Sequence, residues 1–220
     1  RSAVEHNFAW MQRLLAAHDA LEAPHGKTAM CPGLVRRQVD GGAWGVTVSS
    51  SHHLQAYLKH GIRNFILANE VISPAAIDDV VAIVAGRDDV ALMVLVDSVA
   101  AVERLVQGVT RHPSGPVLDV LLEIGADGGR AGCMGVAPAL AVAEAIARSG
   151  GRLRLCGVEG YEGVIGGADP VAAEQEVGRF LDRLSDVAVA CHERGLLNAE
   201  PITFSAGGSV YIDLVLAWWK

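Results

Sequence analysis

The chain has 220 residues and a mass of 23.1 kDa, enough for one α/β domain with a substantial core. Its residues are 51% hydrophobic but only 5% aromatic, a profile typical of parallel sheets whose two faces are both covered. The net charge of -7 argues against a nucleic-acid-binding surface. The uncharged apolar runs are too short to cross a membrane.

Seven short aliphatic runs alternate with helical patterns along the chain. The predicted strands span residues 23–28, 45–50, 64–69, 91–97, 118–124, 153–159 and 202–206. Ser73 and Pro74 open one of the intervening helices, which ends at Gly86, and another helix runs from Pro138 to Gly150. No hairpin signal separates the strands, so the pattern predicts right-handed βαβ units and a parallel sheet.

The regular spacing of these repeats favours a (β/α)8 barrel over a doubly wound sheet. After the seventh predicted strand, an apolar helix runs from Val210 to Lys220, and no eighth strand follows. We therefore expect residues 1–220 to form one α/β domain, a TIM barrel that is incomplete at its C-terminus.

The four cysteines, at positions 31, 133, 156 and 191, are widely spaced and contain no Cys-x-x-Cys pair. This spacing predicts neither a zinc site nor a disulfide framework, and it suits a reducing compartment. The first residues also lack the charged and then apolar pattern of a signal peptide. We therefore expect a cytoplasmic protein.

Active sites of barrels of this kind lie at the carboxyl ends of the strands. Polar or glycine-rich segments close the predicted strands in this chain, and in a closed barrel we expect them to converge on one rim. They include His25, Lys27 and Thr28, then Ser49–Ser51, Asn69, Glu70 and Asp97, and then the segments 127–132, 159–163 and 205–209.

Lys27 lies in the segment 24–28 (Pro-His-Gly-Lys-Thr), whose last three residues resemble the end of a phosphate-binding P-loop. That motif requires a glycine where this chain has Leu21, and the rigid Pro24 does not suit a loop that wraps a phosphate. Two interpretations remain for Lys27: a solvated lysine at a strand end, or an amine nucleophile that attacks an aldehyde.

Three other segments also have two readings each. The first is formed by Gly207, Gly208 and Ser209. It is either a phosphate-binding site, made of free backbone amides and the N-terminus of the following helix, or a plain turn. Arg130 is either a functional cation or a surface loop residue, and Tyr161 either covers a flat ligand or is an aromatic residue of the rim. The histidines show no spacing typical of a metal site.

Taken in chain order, five of these segments match the motifs of one enzyme group. They are 23–28 (Ala-Pro-His-Gly-Lys-Thr), 67–71 (Leu-Ala-Asn-Glu-Val), 123–132, 160–163 (Gly-Tyr-Glu-Gly) and 206–209 (Ala-Gly-Gly-Ser). The chain thus resembles the fold-type III pyridoxal-phosphate enzymes of the D-threonine aldolase, D-serine dehydratase and amino acid deaminase group. Their barrel is similar to the N-terminal domain of alanine racemase.

The resemblance implies a lyase that acts on D-amino acids with a β-hydroxyl group, by retro-aldol cleavage or by dehydration. It implies that Lys27 forms a Schiff base with pyridoxal 5'-phosphate, that His25 assists catalysis, and that Arg130 lies beside the phenolic oxygen of the cofactor. The remaining implied cofactor contacts are Asn69, Tyr161, Ser205, Gly207, Gly208 and Ser209, the last three of which would hold the phosphate.

The chain departs from the family pattern in two places. Ala23 replaces the leading arginine of the family motif, and Ala29 and Met30 follow Thr28 where His-Lys is common. Both variants resemble the deaminase-type branch. Family members also continue into an eighth strand and a β-rich domain, where a His and Cys pair binds a divalent metal such as Mn, Zn or Mg. We expect both parts, and the metal, to lie outside these 220 residues.

Two other functions stay open at this point. One is a non-catalytic pyridoxal-phosphate carrier, which the same barrel could form alone, and the other is an amino-acid racemase with a second catalytic base. By the resemblance we also expect a homodimer, and a separate C-terminal fragment of the same protein is a further candidate partner. We expect no nucleic acid or membrane partner.

Overall fold

The fold is described by a computed structural model that covers residues 2–219. Eight helices lie in this range: α1 Ser2–Ala16, α2 Pro32–Asp40, α3 Ser51–Lys59, α4 Pro74–Gly86, α5 Val99–Arg111, α6 Val136–Ala147, α7 Pro170–Glu193 and α8 Ile212–Trp218. Six strands alternate with most of them: β1 Val46–Val48, β2 Asn64–Glu70, β3 Ala91–Val96, β4 Leu118–Ile124, β5 Leu153–Gly160 and β6 Thr203–Ser205. A single 3-10 turn spans Glu162–Val164.

The six strands form one parallel sheet in the order β1-β2-β3-β4-β5-β6. This confirms the predicted βαβ units, and the sequential strand order is that of a barrel wall rather than of a doubly wound sheet. Within residues 2–219 the sheet is a six-stranded half-barrel. The sequence predicts an incomplete (β/α)8 barrel with seven strands, and six of these strands are present in this part of the chain.

The prediction of a strand at residues 23–28 is wrong. Only His25 pairs with the sheet, through a single parallel bridge to Thr47. Pro24 has no N–H group to extend the ladder, and beyond Gly26 the chain turns back, since the Met30 amide donates to the Gly26 carbonyl over 3.1 Å. The segment nevertheless lies beside β1, where the first strand of a barrel would be.

The predicted helices are present with small changes in their bounds. The helix that follows Ser73 ends at Gly86 as predicted, and the side chain of Ser73 caps it by accepting the amide of Ala76. Helix α6 begins at Val136, two positions before Pro138. The last helix, α8, is shorter than predicted, and Lys220 lies outside the described residues. None of the helices within residues 2–219 is both long and apolar enough to span a membrane.

The two faces of the sheet have different neighbours because strand side chains alternate. On one face, Leu118, Val120 and Leu122 of β4 belong to the main core between the sheet and the helices. On the other face, Leu121 belongs to a smaller apolar cluster with Ile66, Met93, Leu95 and Cys156. This second cluster forms a layer inside the half-barrel, below the strand ends where polar residues begin.

We expect Gly157→Ala to destabilise the fold by about 2 kcal/mol, since added volume in a well-packed interior forces shifts. A Cβ at Gly157 would lie 1.7 Å from the Thr203 carbonyl oxygen, at the contact between β5 and β6. Urea denaturation measures the effect. Gly178→Ala is the matched control: its Cβ would meet nothing within 4 Å, so this helical substitution should raise stability by about 1 kcal/mol. Equal stabilities for the two variants would contradict the expected close contact.

Candidate active site

Lys27 lies at the edge of the sheet where the strands end. The bridge at His25 places the preceding residues beside β1, and the Gly26 amide donates to the Thr47 carbonyl over 2.8 Å. The side chain of Lys27, one residue later, is exposed to solvent. A lysine amine is therefore accessible at the carboxyl edge, where parallel α/β sheets bind their ligands.

Tyr57 of α3 fixes the backbone next to Lys27. Its hydroxyl is buried and donates to the Gly26 carbonyl over 2.8 Å. A Cβ at Gly26 would lie 2.7 Å from the Tyr57 hydroxyl oxygen, so this position has no room for a side chain. The sequence analysis missed Tyr57, because its partner lies 31 positions away and no local motif links the two.

Removing this hydroxyl should cost stability. In Tyr57→Phe the Gly26 carbonyl loses one of its two donors, because the Met30 amide still donates to it. Loss of one such hydrogen bond costs about 0.5–1.5 kcal/mol. We expect the midpoint of urea denaturation to fall accordingly, with the spectrum of the folded state retained. An unchanged midpoint would show that the hydroxyl does not hold this segment.

His25 and Asn69 are held next to the same strand ends. Burial, and then the positive charge of Lys27, lower the pKa of His25, which favours a neutral imidazole at pH 7. The Asn69 side chain donates to the carbonyl of Ser49 over 3.4 Å, and the Ser49 hydroxyl lies 3.0 Å from the imidazole of His53.

The loop after β4, which carries Arg130, is fastened to the end of β3. The Gly132 amide donates to an Asp97 carboxylate oxygen over 3.2 Å, and the Cys133 thiol donates to the Asp97 carbonyl over 3.1 Å. Gly132 has a φ of +94°, and a Cβ there would lie 2.3 Å from the backbone of Gly125. The backbone of the loop is thus tightly fixed, whereas the side chain of Arg130 is exposed.

Three glutamates form a cluster on the inner face of the half-barrel. Glu123 and Glu159 lie opposite each other in the register of β4 and β5, and Glu70 at the end of β2 is close enough to Glu123 to raise its pKa. Each of the three has one carboxyl oxygen that is buried without a hydrogen-bond partner among the described residues. The cluster lies one layer above Leu121, which is two positions before Glu123 in β4.

Burial and mutual repulsion keep protons on this cluster. Burial, followed by the neighbouring carboxyl groups of Glu70 and Glu159, raises the pKa of Glu123 to about 9. Burial, followed by repulsion from Glu162 and Glu70, raises the pKa of Glu159 to about 8. Both groups are therefore largely neutral at pH 7 and can donate as well as accept hydrogen bonds. Within residues 2–219, no three His, Cys, Asp or Glu side chains are arranged to hold a metal ion.

Glu162 joins the turn after β5 to the loop after β6, residues 206–209, which we call the glycine loop. Its side chain is 0% exposed, one of its oxygens accepts the Gly207 amide over 3.0 Å, and the other accepts the Gly208 amide. These amides thus already bind an anionic group. The N-terminus of the following helix, which the sequence analysis expected to help bind a phosphate, contributes little. Helix α8 is short and begins three residues after Ser209.

The structure thus brings together some of the predicted residues but not all. His25 and Lys27 lie two positions apart beside the end of β1, and Ser205 closes β6. The ring of Tyr161 lies against Gly208, where a Cβ would approach it within 2.9 Å. The hydrogen bonds and ion pairs of residues 2–219 do not join Lys27, Arg130 and Ser209 to one another. The sequence analysis placed Glu70 and Glu159 among the polar residues at the strand ends, but it did not predict that they form a buried cluster with Glu123. A glutamate two positions after Leu121 in a buried strand is a signal that would have found the third member.

Comparison with known proteins places this site in a family. The family model described as alanine racemase, N-terminal domain, matches residues 1–212. A D-threonine aldolase from Arthrobacter sp is 28% identical over 211 residues, which cover 95% of this chain and 54% of the aldolase. The chain therefore spans about half the length of this relative.

Solved structures show the same relationship. A D-threonine aldolase from Filomicrobium marinum is 26% identical with a TM-score of 0.83, over 99% of this chain and 57% of the aldolase chain. A D-threo-3-hydroxyaspartate dehydratase from Delftia sp. HT23 is 25% identical with a TM-score of 0.74, over 95% of this chain and 58% of the dehydratase chain. The resemblance seen in the motif order is thereby confirmed, and the chain belongs to the alanine racemase N-terminal domain family of fold-type III enzymes.

Proposed function

We propose that this protein is a pyridoxal-phosphate-dependent lyase that acts on D-amino acids with a β-hydroxyl group through Lys27. The observation that carries the proposal is an exposed lysine amine at the carboxyl edge of the family's parallel sheet, two positions after His25, which pairs with β1. The similar proteins named as D-threonine aldolase and D-threo-3-hydroxyaspartate dehydratase support the substrate class.

The residues present fit the cofactor. Lys27 offers an accessible amine. In the loop after β6, Glu162 accepts the amides of Gly207 and Gly208, while the next two amides, of Ser209 and Val210, have no protein acceptor among the described residues. Anion binding by backbone amides is what a phosphate group requires. When bound, the cofactor supplies an aldehyde for the lysine and a conjugated ring that takes up negative charge developing at the substrate Cα.

The protein's own groups have distinct tasks in this proposal. Lys27 would bind the cofactor and would move a proton at the substrate Cα when substrate is present. His25, with its lowered pKa, offers a neutral nitrogen beside that amine. Arg130 would interact with the phenolic oxygen of the bound cofactor, and Tyr161 and Asn69 would border the cofactor ring.

The fate of the substrate distinguishes aldol cleavage from dehydration. The proteins named above include both an aldolase and a dehydratase. The described residues do not fit a divalent metal, so no step of the proposal uses one. We propose that the divalent ion is bound by a part of the protein beyond these residues. We also propose that a second subunit contributes to the site.

Reduction with borohydride followed by peptide mass mapping tests the covalent bond. The 220 residues contain lysines at positions 27, 59 and 220 only, so the mapping has few outcomes. We expect a phosphopyridoxyl group on Lys27 of the cofactor-loaded, full-length protein. Cofactor-dependent absorbance without any label on Lys27 would refute the proposal.

Product analysis then identifies the reaction. With D-threonine, aldol cleavage yields glycine and acetaldehyde, whereas dehydration yields 2-oxobutyrate and ammonia. Appearance of the L-enantiomer of a substrate would support a racemase instead. A labelled Lys27 without turnover of D-threonine, D-serine or 3-hydroxy-D-aspartate, in the presence of Mn²⁺ or Zn²⁺, would favour the carrier.

A further inference from the structure

The turn after β5 and the loop after β6 are joined as one unit. Besides the two glycine amides that donate to Glu162, the hydroxyl of Tyr211 donates to the carbonyl of Ile165 over 3.1 Å. These three hydrogen bonds link residues that are 45 or 46 positions apart in the chain. The loop that is proposed to hold the phosphate is therefore fixed by another loop.

Packing reinforces these hydrogen bonds. A Cβ at Gly208 would lie 2.9 Å from the Tyr161 ring and 3.2 Å from a carboxylate oxygen of Glu162. A Cβ at Gly163 would lie 2.4 Å from the same ring. The Tyr161 ring therefore contacts Gly163 of its own turn and Gly208 of the other loop, and Glu162 beside them is fully buried.

A bound carboxylate limits what the two glycine amides can do. Each N–H group of Gly207 and Gly208 is directed at an oxygen of Glu162, and a phosphate brought to the same two amides would be repelled by the buried negative charge. The next two amides differ. In the part of the chain that the structure describes, those of Ser209 and Val210 donate to no protein acceptor.

We propose that Glu162 is a positioning residue: its carboxylate holds Gly207 and Gly208 so that the amides of Ser209 and Val210 face the phosphate of the cofactor. The inference rests on the proposed function and refines it. Glu162 itself does not touch the phosphate. It acts by setting the path of the loop before the cofactor arrives, which lowers the ordering cost of binding.

Amide hydrogen exchange in the cofactor-free protein tests the contact itself. In the wild-type protein, we expect the amides of Gly207 and Gly208 to exchange slowly although their loop is at the surface. In Glu162→Gln one side-chain oxygen remains as an acceptor, but the other position becomes an NH2 group, so at least one of the two amides should exchange faster. Fast exchange of both amides in the wild-type protein would overturn the proposal, even if the variant does not fold.

Cofactor affinity tests the consequence. We expect Glu162→Gln to weaken binding of pyridoxal 5'-phosphate about tenfold while binding of pyridoxal, which lacks the phosphate, changes little. A merely structural role would weaken both equally. Glu193→Gln, an exposed glutamate at the end of α7, is the matched control and should change neither affinity.

The other possible results of the affinity measurement also decide the proposal. Tighter binding of pyridoxal 5'-phosphate by Glu162→Gln would show that the carboxylate competes with the phosphate, and an unchanged affinity would show that the loop does not need it; both overturn the proposal. If the wild-type protein binds no pyridoxal 5'-phosphate, the proposed function fails. The exchange experiment then still reports whether Glu162 holds the two glycines.

Discussion

Lys27→Ala is expected to abolish covalent attachment of the cofactor and to lower kcat/KM by at least about 10³-fold. The reason is that one amine serves both as the nucleophile toward the cofactor aldehyde and as the group that moves a proton at Cα. Lys27→Arg keeps a positive charge but removes the nucleophilic amine, so it should lose activity to a similar extent. Steady-state kinetics and absorbance of the bound cofactor measure both effects.

Lys59→Ala is the matched control for this experiment. Lys59 is exposed in the last turn of α3, and because a crossover helix runs antiparallel to its strand, this turn lies at the opposite edge of the sheet from Lys27. Its removal should leave attachment and turnover unchanged. Retained attachment in Lys27→Ala, or its loss in Lys59→Ala, would place the reactive amine elsewhere.

The second large effect concerns the dependence of stability on pH. Glu159 has an ordinary pKa of 4.5, which folding raises to about 8. Folding therefore favours the protonated form, and the stabilisation that this proton provides is fully present below pH 4.5 and is lost as the pH rises through 8. The free energy of unfolding of the wild-type protein should fall between pH 5 and pH 9.

Glu159→Gln removes the ionisation but keeps the size of the side chain. Between pH 5 and pH 9 we expect the variant to gain about 2–4 kcal/mol relative to the wild-type protein. Part of the slope should persist, because Glu123, with a pKa of about 9, remains. Urea denaturation at the two pH values measures the gain, and Glu193→Gln again serves as the control. Parallel pH curves for Glu159→Gln and the wild-type protein would show that Glu159 is ionised in the folded state at pH 7.

The strand predictions show how far a local pattern reaches. The runs at 64–69, 91–97, 118–124 and 153–159 are strands within one residue at each end, because an aliphatic run bounded by turn signals is specified locally. The run at 23–28 is not a strand, because pairing also requires a donor at Pro24 and a straight path beyond Gly26.

The C-terminal aromatic residues illustrate the same limit. Trp218 and Trp219 end the described chain, and the sequence gives no reason for two large aromatic residues there. In the structure both rings lie edge-on to Phe204 of β6, with ring centroids 6.3 and 5.7 Å away. They pack beside the last described strand, which no periodicity along α8 would have predicted.

The sequence by itself determined the alternation of strands and helices, the parallel sheet and the order of the motifs, including the position of Lys27. These features depend on neighbouring residues and on chain order. Only the tertiary structure decided the environment of Glu159 and the contact between Glu162 and the glycine loop. A raised pKa depends on burial and on charges from other strands, and the glycine amides of the loop meet their acceptor 45 positions earlier in the chain.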